Sequence, residues 1–358
     1  VQCITTWFSP GKILGFVLGC VCFATVAQEN TDNAVILLYH HVSDETPKST
    51  SISPDLFAEH MAYLDKHHHV MPLQEAIKKL QQKQPLPDKT VVITFDDGYV
   101  NILENGHPIL KRYNFPYTIF INPDVIGTQK NQLTWQQVKM MQQEGVTFAN
   151  HTLDHLHLLN RQAGEDKDDW LDRVWTNIEQ AEQAIEAKTD TSFKFLAYPF
   201  GEYNQTLAEK LADEGYVGFA QYSGAISSIS DFTTLPRFPA AGNYARLETL
   251  KTKLNSLAMP VTKSSIKNPE IKDKQRKPQV TVTVPADDVA LNQLNCFFQG
   301  EIIAHQVQQQ SFEYTVEQAL PVGRSRVNCT APSKQSKGRY YWYSQPFFVA
   351  DEKGRYPD

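Results

Sequence analysis

The chain has 358 residues, enough for one barrel-sized unit with its own core and a smaller module beside it. Its 34 Lys and Arg against 40 Asp and Glu give a mild net charge of −6. With no long basic run and no arginine-aromatic alternation, the electrostatic footprint of a nucleic-acid binder is missing, and no nucleic acid is expected as a partner.

In chain order, the first feature is "GKILGFVLGCVCFATVA", where Lys12 precedes an apolar run from Ile13 to Val26 and the small residues Thr25 and Ala27 precede a cut. The run is short for a membrane span, so residues 1–27 read as a secretory signal peptide. The mature chain is then expected to be exported, periplasmic or secreted, without a transmembrane span. "VLGC" before Cys20 also resembles a loose lipoprotein box, so lipid anchoring stands as the second reading. Removal of Cys3, Cys20 and Cys22 with the leader leaves Cys296 and Cys329, which in an oxidising compartment read as one disulfide. Two buried free thiols are the alternative.

Residues 28–258 alternate short apolar runs with helical patterns. "AVILLY" (34–39), "VVITF" (91–95), "YTIFI" (117–121), "VTFA" (146–149) and "FKFLAY" (193–198) read as strands covered on both faces. Ser53 before Pro54, and Thr134 with Gln137, open helices, while Gly145 and Gly215 stand where helices stop. This is α/β sequence, a parallel sheet or a (β/α) barrel. Residues 259–279, rich in Pro, Lys and Ser, read as a linker, and residues 280–358 as a small β-rich, sandwich-like accessory domain pinned by Cys296 and Cys329.

Several predicted strands end in unusual polar groups: "LLYHH" at His40, "ITFDDG" at Asp96 and Asp97, "FANHTLDH" at His151, and "LAYPFGEYN" around Phe200. In a parallel βα barrel all such ends meet on one face. Asp97, His151 and His155 would offer one oxygen and two nitrogens to a divalent metal, leaving a fourth tetrahedral position open as in a catalytic zinc site. Zinc is the expected ion, with cobalt or nickel as alternatives. The triplet His67, His68 and His69 reads as an exposed helix end, and His157 as a loop residue.

"TFDDG", "NHTLDH" and "AYPFGEYN", in that order, resemble the NodB-type polysaccharide deacetylases of carbohydrate esterase family four. "LLYHHVS" and "LPRF" are similar to the subgroup that includes biofilm poly-N-acetylglucosamine deacetylases. The resemblance spans about residues 34–257 and implies a distorted (β/α) barrel, metal-dependent removal of N-acetyl groups from an acetylated polysaccharide, Asp96 as general base, and Asp97, His151 and His155 as metal ligands. It also implies that the backbone N–H of Phe200 holds an oxyanion, and the tyrosines of the strand-end motifs, Tyr39 and Tyr198, are expected to contact substrate. An O-acetyl esterase, a peptidoglycan deacetylase or a weakly active glycan-binding protein are the alternatives on the same scaffold.

The sequence departs from the family pattern twice. Ala197 stands where the family usually carries the arginine that braces the base, and Arg237 in "TLPRFPA" is the candidate replacement. The late Leu-x-His motif that usually supplies the general acid is absent, since no histidine occurs between His157 and His305. By elimination His40, at a strand end, is the candidate acid, with His41 expected to point away by strand alternation. No protein partner is legible.

Overall fold

The structure, a computed structural model, describes residues 30–272, 276–285 and 287–357. The expected signal peptide, the lipoprotein box and Cys3, Cys20 and Cys22 lie outside the described residues. Among the described residues no helix is long and apolar enough to cross a membrane.

Six strands run parallel in one curled sheet: β1 Ala34–Tyr39, β2 Thr90–Phe95, β3 Tyr117–Ile121, β4 Thr147–Asn150, β5 Phe195–Ala197 and β6 Val217–Phe219, in consecutive spatial order. β1, β2 and β3 are buried at every position, which is why their sequences run apolar without alternating. β6, only three residues long, is too short to leave a periodic signal. The free edge of β1 takes two more short strands, β7 Ala225–Ile226 antiparallel and β8 Phe238–Pro239 parallel. Leu235, just ahead of β8, bridges back to Phe219 of β6. One segment, 235–240, therefore touches both edges of the parallel run.

The helices begin where their caps predict. Ser53 accepts from the Leu56 N–H at the start of Pro54–His67, and Thr134 and Gln137 cap Trp135–Gln143 reciprocally.

Beyond Leu254 the described residues form two sheets that share one core containing Val280, Phe298, Phe312, Val327 and Phe347. In one sheet, Gly323–Pro332 pairs antiparallel with Tyr340–Val349 over ten residue pairs and with Asn295–Phe298 on its other side. In the other, Gln279–Thr283, Ser311–Thr315 and His305–Gln308 are neighbours. Residues 259–279 are not a free linker: Lys263–Ser264 pairs with Gln279–Thr283, and Glu270–Ile271 with Tyr340–Val349. Two-residue edge strands gain ladder hydrogen bonds without an apolar pattern, so the polar sequence concealed them. Cys296 and Cys329 are bonded, but they face each other across adjacent strands of one sheet and so tie neighbours rather than pin two sheets together. Closing a loop with a sequence separation of 33 stabilises by roughly 3 to 4 kcal/mol on the chain-entropy model.

The tail also packs on the first unit. Trp342 stands edge-on to Phe238 at 5.1 Å, Phe348 joins Tyr198 and Tyr203 in one cluster, and Arg339 pairs with Asp88 at 2.6 Å.

Candidate active site

Strand register brings the polar groups together. β1 and β2 pair up to Tyr39 and Phe95, so His40 and Asp96 leave their strands as neighbours, and the Asp96 N–H donates to the Tyr39 carbonyl at 3.0 Å. β3 and β4 pair up to Ile121 and Asn150, and the His151 N–H donates to the Ile121 carbonyl at 3.0 Å. Asp97 turns away from the sheet with φ 72°, followed by Gly98 at φ 70°. A Cβ on Gly98 would lie 2.9 Å from Ile121 Cγ2, so the sharp turn beneath the carboxylates requires glycine. His155 returns to the same point through a loop, not a helical turn, with Thr152 and His155 both left-handed at φ 69° and 61°.

Asp97, His151 and His155 each aim one ligand atom at a common point, all within 4.8 Å of one another. Asp97 Oδ1 lies 3.3 Å from Nε2 of His151 and 3.3 Å from Nε2 of His155. His151 Nδ1 is 2.7 Å from the Ala197 carbonyl, which only accepts, so Nδ1 carries the proton and Nε2 presents its lone pair. Both Asp97 Oδ1 and His151 Nε2 are buried with no hydrogen-bond partner, a costly arrangement that a cation between them would satisfy. The residues present therefore fit a divalent metal with two imidazole nitrogens and one carboxylate oxygen. Burial works against the charge of Asp97, but the His151 imidazole set against it at 3.3 Å holds its pKa well below the usual carboxylate range. Burial, the largest influence, pushes His155 down to about 4.

Asp96 is fully buried and forked by Arg237, with Nη1 to Oδ1 at 2.7 Å and Nη2 to Oδ2 at 2.8 Å. Arg237 is itself fully buried, and its Nε donates to the Ala220 carbonyl at 3.0 Å. Burial is the largest single influence and opposes ionisation of Asp96, but the charge and paired hydrogen bonds of Arg237, acting together with the neighbouring groups, keep the pKa below its ordinary value. The guanidinium that forks Asp96 comes from segment 235–240, while Ala197 contributes its carbonyl to His151.

Phe200 sits in a turn with φ 56°, its ring stacked on His157 at 3.9 Å and edge-on to His155 at 4.6 Å. His157, read as a plain loop residue, is anchored through Nδ1 to Glu202 at 2.8 Å, and burial raises the Glu202 pKa despite that partner. Glu202 carries no sequence signal beyond a carboxylate between a glycine and a tyrosine in "FGEYN". His40 is half-buried and leaves its strand beside Asp96. His41 does not turn outward: it is buried, stacks on Tyr99 at 3.7 Å and accepts from the Asn101 amide at 3.0 Å, because the chain leaves strand alternation at His40. Tyr39 and Tyr198 are corrected as substrate contacts. Both side chains are fully buried, their hydroxyls bonded to His60 Nδ1 at 3.0 Å and to the Thr233 carbonyl at 2.7 Å.

Residues 83–219 match the polysaccharide deacetylase family. The Bacillus subtilis protein YxkH, named for that family, is 30% identical over 208 residues, covering 57% of this chain and 70% of its own length. The chain belongs to the polysaccharide deacetylase family. The deacetylase is also 27% identical over 231 residues to the poly-β-1,6-N-acetyl-D-glucosamine N-deacetylase of Staphylococcus epidermidis, covering 58% of this chain and 78% of that one. In fold it is similar to the Streptococcus pyogenes deacetylase PplD, solved with acetate, with TM-score 0.56, 24% identity, and coverage of 62% of this chain and 98% of that one. It is likewise similar to IcaB from Ammonifex degensii, with TM-score 0.51, 22% identity, and coverage of 58% and 91%.

Proposed function

We propose that this deacetylase hydrolyses N-acetyl groups of an N-acetylglucosamine-containing polysaccharide, releasing acetate and leaving a free amine, with Asp97, His151 and His155 holding a divalent metal, zinc first. The observation that carries the proposal is the juxtaposition of a buried, ionised Asp96 with the two unpartnered ligand atoms of Asp97 and His151. A cation held there supplies Lewis acidity towards a carbonyl oxygen and lowers the pKa of water. Asp96 takes the proton of the water that attacks the acetyl carbon, while Arg237 keeps the carboxylate ionised and aimed. The Phe200 N–H donates to the oxygen of the tetrahedral species. As the C–N bond breaks, His40 gives its proton to the leaving nitrogen. A chain exported by way of its leader would meet such a polymer outside the cytoplasm, and the disulfide suits an oxidising compartment.

The test is release of acetate and amine from a panel of soluble poly-N-acetylglucosamine, peptidoglycan and O-acetylated sugars, with and without a chelator. Chelator-sensitive amine release from the first substrate is expected. Release from the O-acetylated sugars alone would replace the amide reading with an esterase.

A further inference from the structure

We propose that Arg324, on the tail strand Gly323–Pro332, is a positioning residue for the turn that carries Phe200, so that the tail completes the catalytic unit instead of being an accessory to it. The inference rests on the oxyanion role given to Phe200 above. A phenylalanine at φ 56° occupies a region that costs on the order of 1 kcal/mol or more, and it persists only where its surroundings over-determine it. Three contacts do so. The ring is held between His157 and His155, as described. Gly201 packs so closely on Gln221 that an added Cβ would lie 2.8 Å from Gln221 Cβ. Arg324 Nη1 then donates both to the Phe200 carbonyl at 2.8 Å and to Gln221 Oε1 at 3.0 Å. One guanidinium thus ties the turn to the wall it leans on, across 124 residues of sequence.

Fixing the Phe200 carbonyl fixes the peptide plane that follows the residue, and with the ring held by His157 and His155 it leaves the N–H little freedom to turn. A preorganised donor acts on a developing oxyanion only while its aim is held, and small displacements cost large factors in rate. The cleft between the turn and the tail, lined by Phe200, Gly201, Gln221, Arg324, Pro346 and Phe348, is where this clamp sits. Neighbouring Arg326 bonds to the Tyr244 hydroxyl at 3.2 Å, so the two arginines separate a hold on the turn from a hold on the first unit in general.

The experiment compares full-length, metal-replete wild type with Arg324→Ala, Arg324→Lys and Arg326→Ala. It reads kcat and KM on a short acetylated oligosaccharide, Tm, and amide hydrogen exchange in peptides covering 199–203. Arg324→Ala is expected to lower kcat roughly ten- to a hundredfold. KM and Tm should stay near wild type while exchange in 199–203 quickens, and Arg324→Lys should recover part of both effects. Wild-type kcat or unchanged exchange in Arg324→Ala overturns the inference, as does an equal loss in Arg326→Ala, which would indicate tail docking alone. A wild type that releases no acetate sinks the function proposed above; the clamp then stands or falls on exchange.

Discussion

Removing the guanidinium of Arg237 should damage both stability and the pH profile, while leaving the metal in place. Asp96 and Arg237 are each fully buried, and the carboxylate is bonded on both oxygens by the fork. An Arg237→Met protein would keep the volume and strand a buried charge, which costs about 3 to 5 kcal/mol when one partner of such a pair is deleted. For a protein of this size that corresponds to a fall in Tm on the order of 10 °C. Burial is the largest influence on Asp96 and acts upward, so without Arg237 its pKa should rise. A base that must be ionised then fails at higher pH, and the acid limb of the rate profile should move upward. Arg237→Lys restores charge but not the two-pronged geometry, and should fall between. Denaturant unfolding and pH-rate profiles of both variants, with Asp96→Asn/Arg237→Met completing a double-mutant cycle, measure these effects. Stability within 0.5 kcal/mol of wild type, or an acid limb that does not move, would refute the reasoning.

Alanine at Asp97, His151 or His155 should each abolish stoichiometric metal, whereas Asp96→Asn should keep the metal and lose the rate; elemental analysis beside turnover decides, and undiminished metal in the His151 and His155 variants would remove the metal site. His40→Ala should retain metal and lose roughly two to four decades of turnover on N-acetyl substrates while sparing an acetyl ester whose leaving group needs no proton; an equal loss on both would transfer the acid role elsewhere. His60, buried between the Tyr39 hydroxyl and the Ala245 carbonyl, has its pKa lowered to about 4 from an ordinary 6.5, chiefly by burial. The folded state therefore holds fewer protons than the unfolded one between those values, so stability is lost as pH falls through that window, by about 3 kcal/mol at most. Unfolding midpoints of wild type and His60→Gln at neutral and mildly acidic pH test it, and an equally steep acid loss in the variant would count against this account.

The parts of the fold legible in the sequence are those with local causes. β1 to β3 are continuous apolar runs because both faces are buried, and the caps at Ser53 and Thr134 act within three residues. The polar strand ends of β2 and β4 were likewise visible, because Asp97, His151 and His155 sit directly after strong strand signals. What stayed hidden is non-local. The two-residue strands within 259–279 have no pattern of their own and exist because the tail offers them edges. Tyr39 and Tyr198 look like strand-end site residues, yet alternation turns both side chains into the core. Arg324 and Glu202 acquire their neighbours only when the tail and the Phe200 turn have come together with the sheet.

The segment 235–240 also sets an order of events during synthesis. Asp96 receives its counter-charge from a residue 141 positions later in the chain, which at about 5 to 20 residues per second is made roughly 7 to 30 s after the aspartate. Until then the same segment is missing from both sheet edges, so a nascent chain ending near residue 230 has open edges and a carboxylate that can stay charged only in water. The catalytic face cannot mature piecemeal: the stitch that draws the two edges together is also the one that permits Asp96 to go dry.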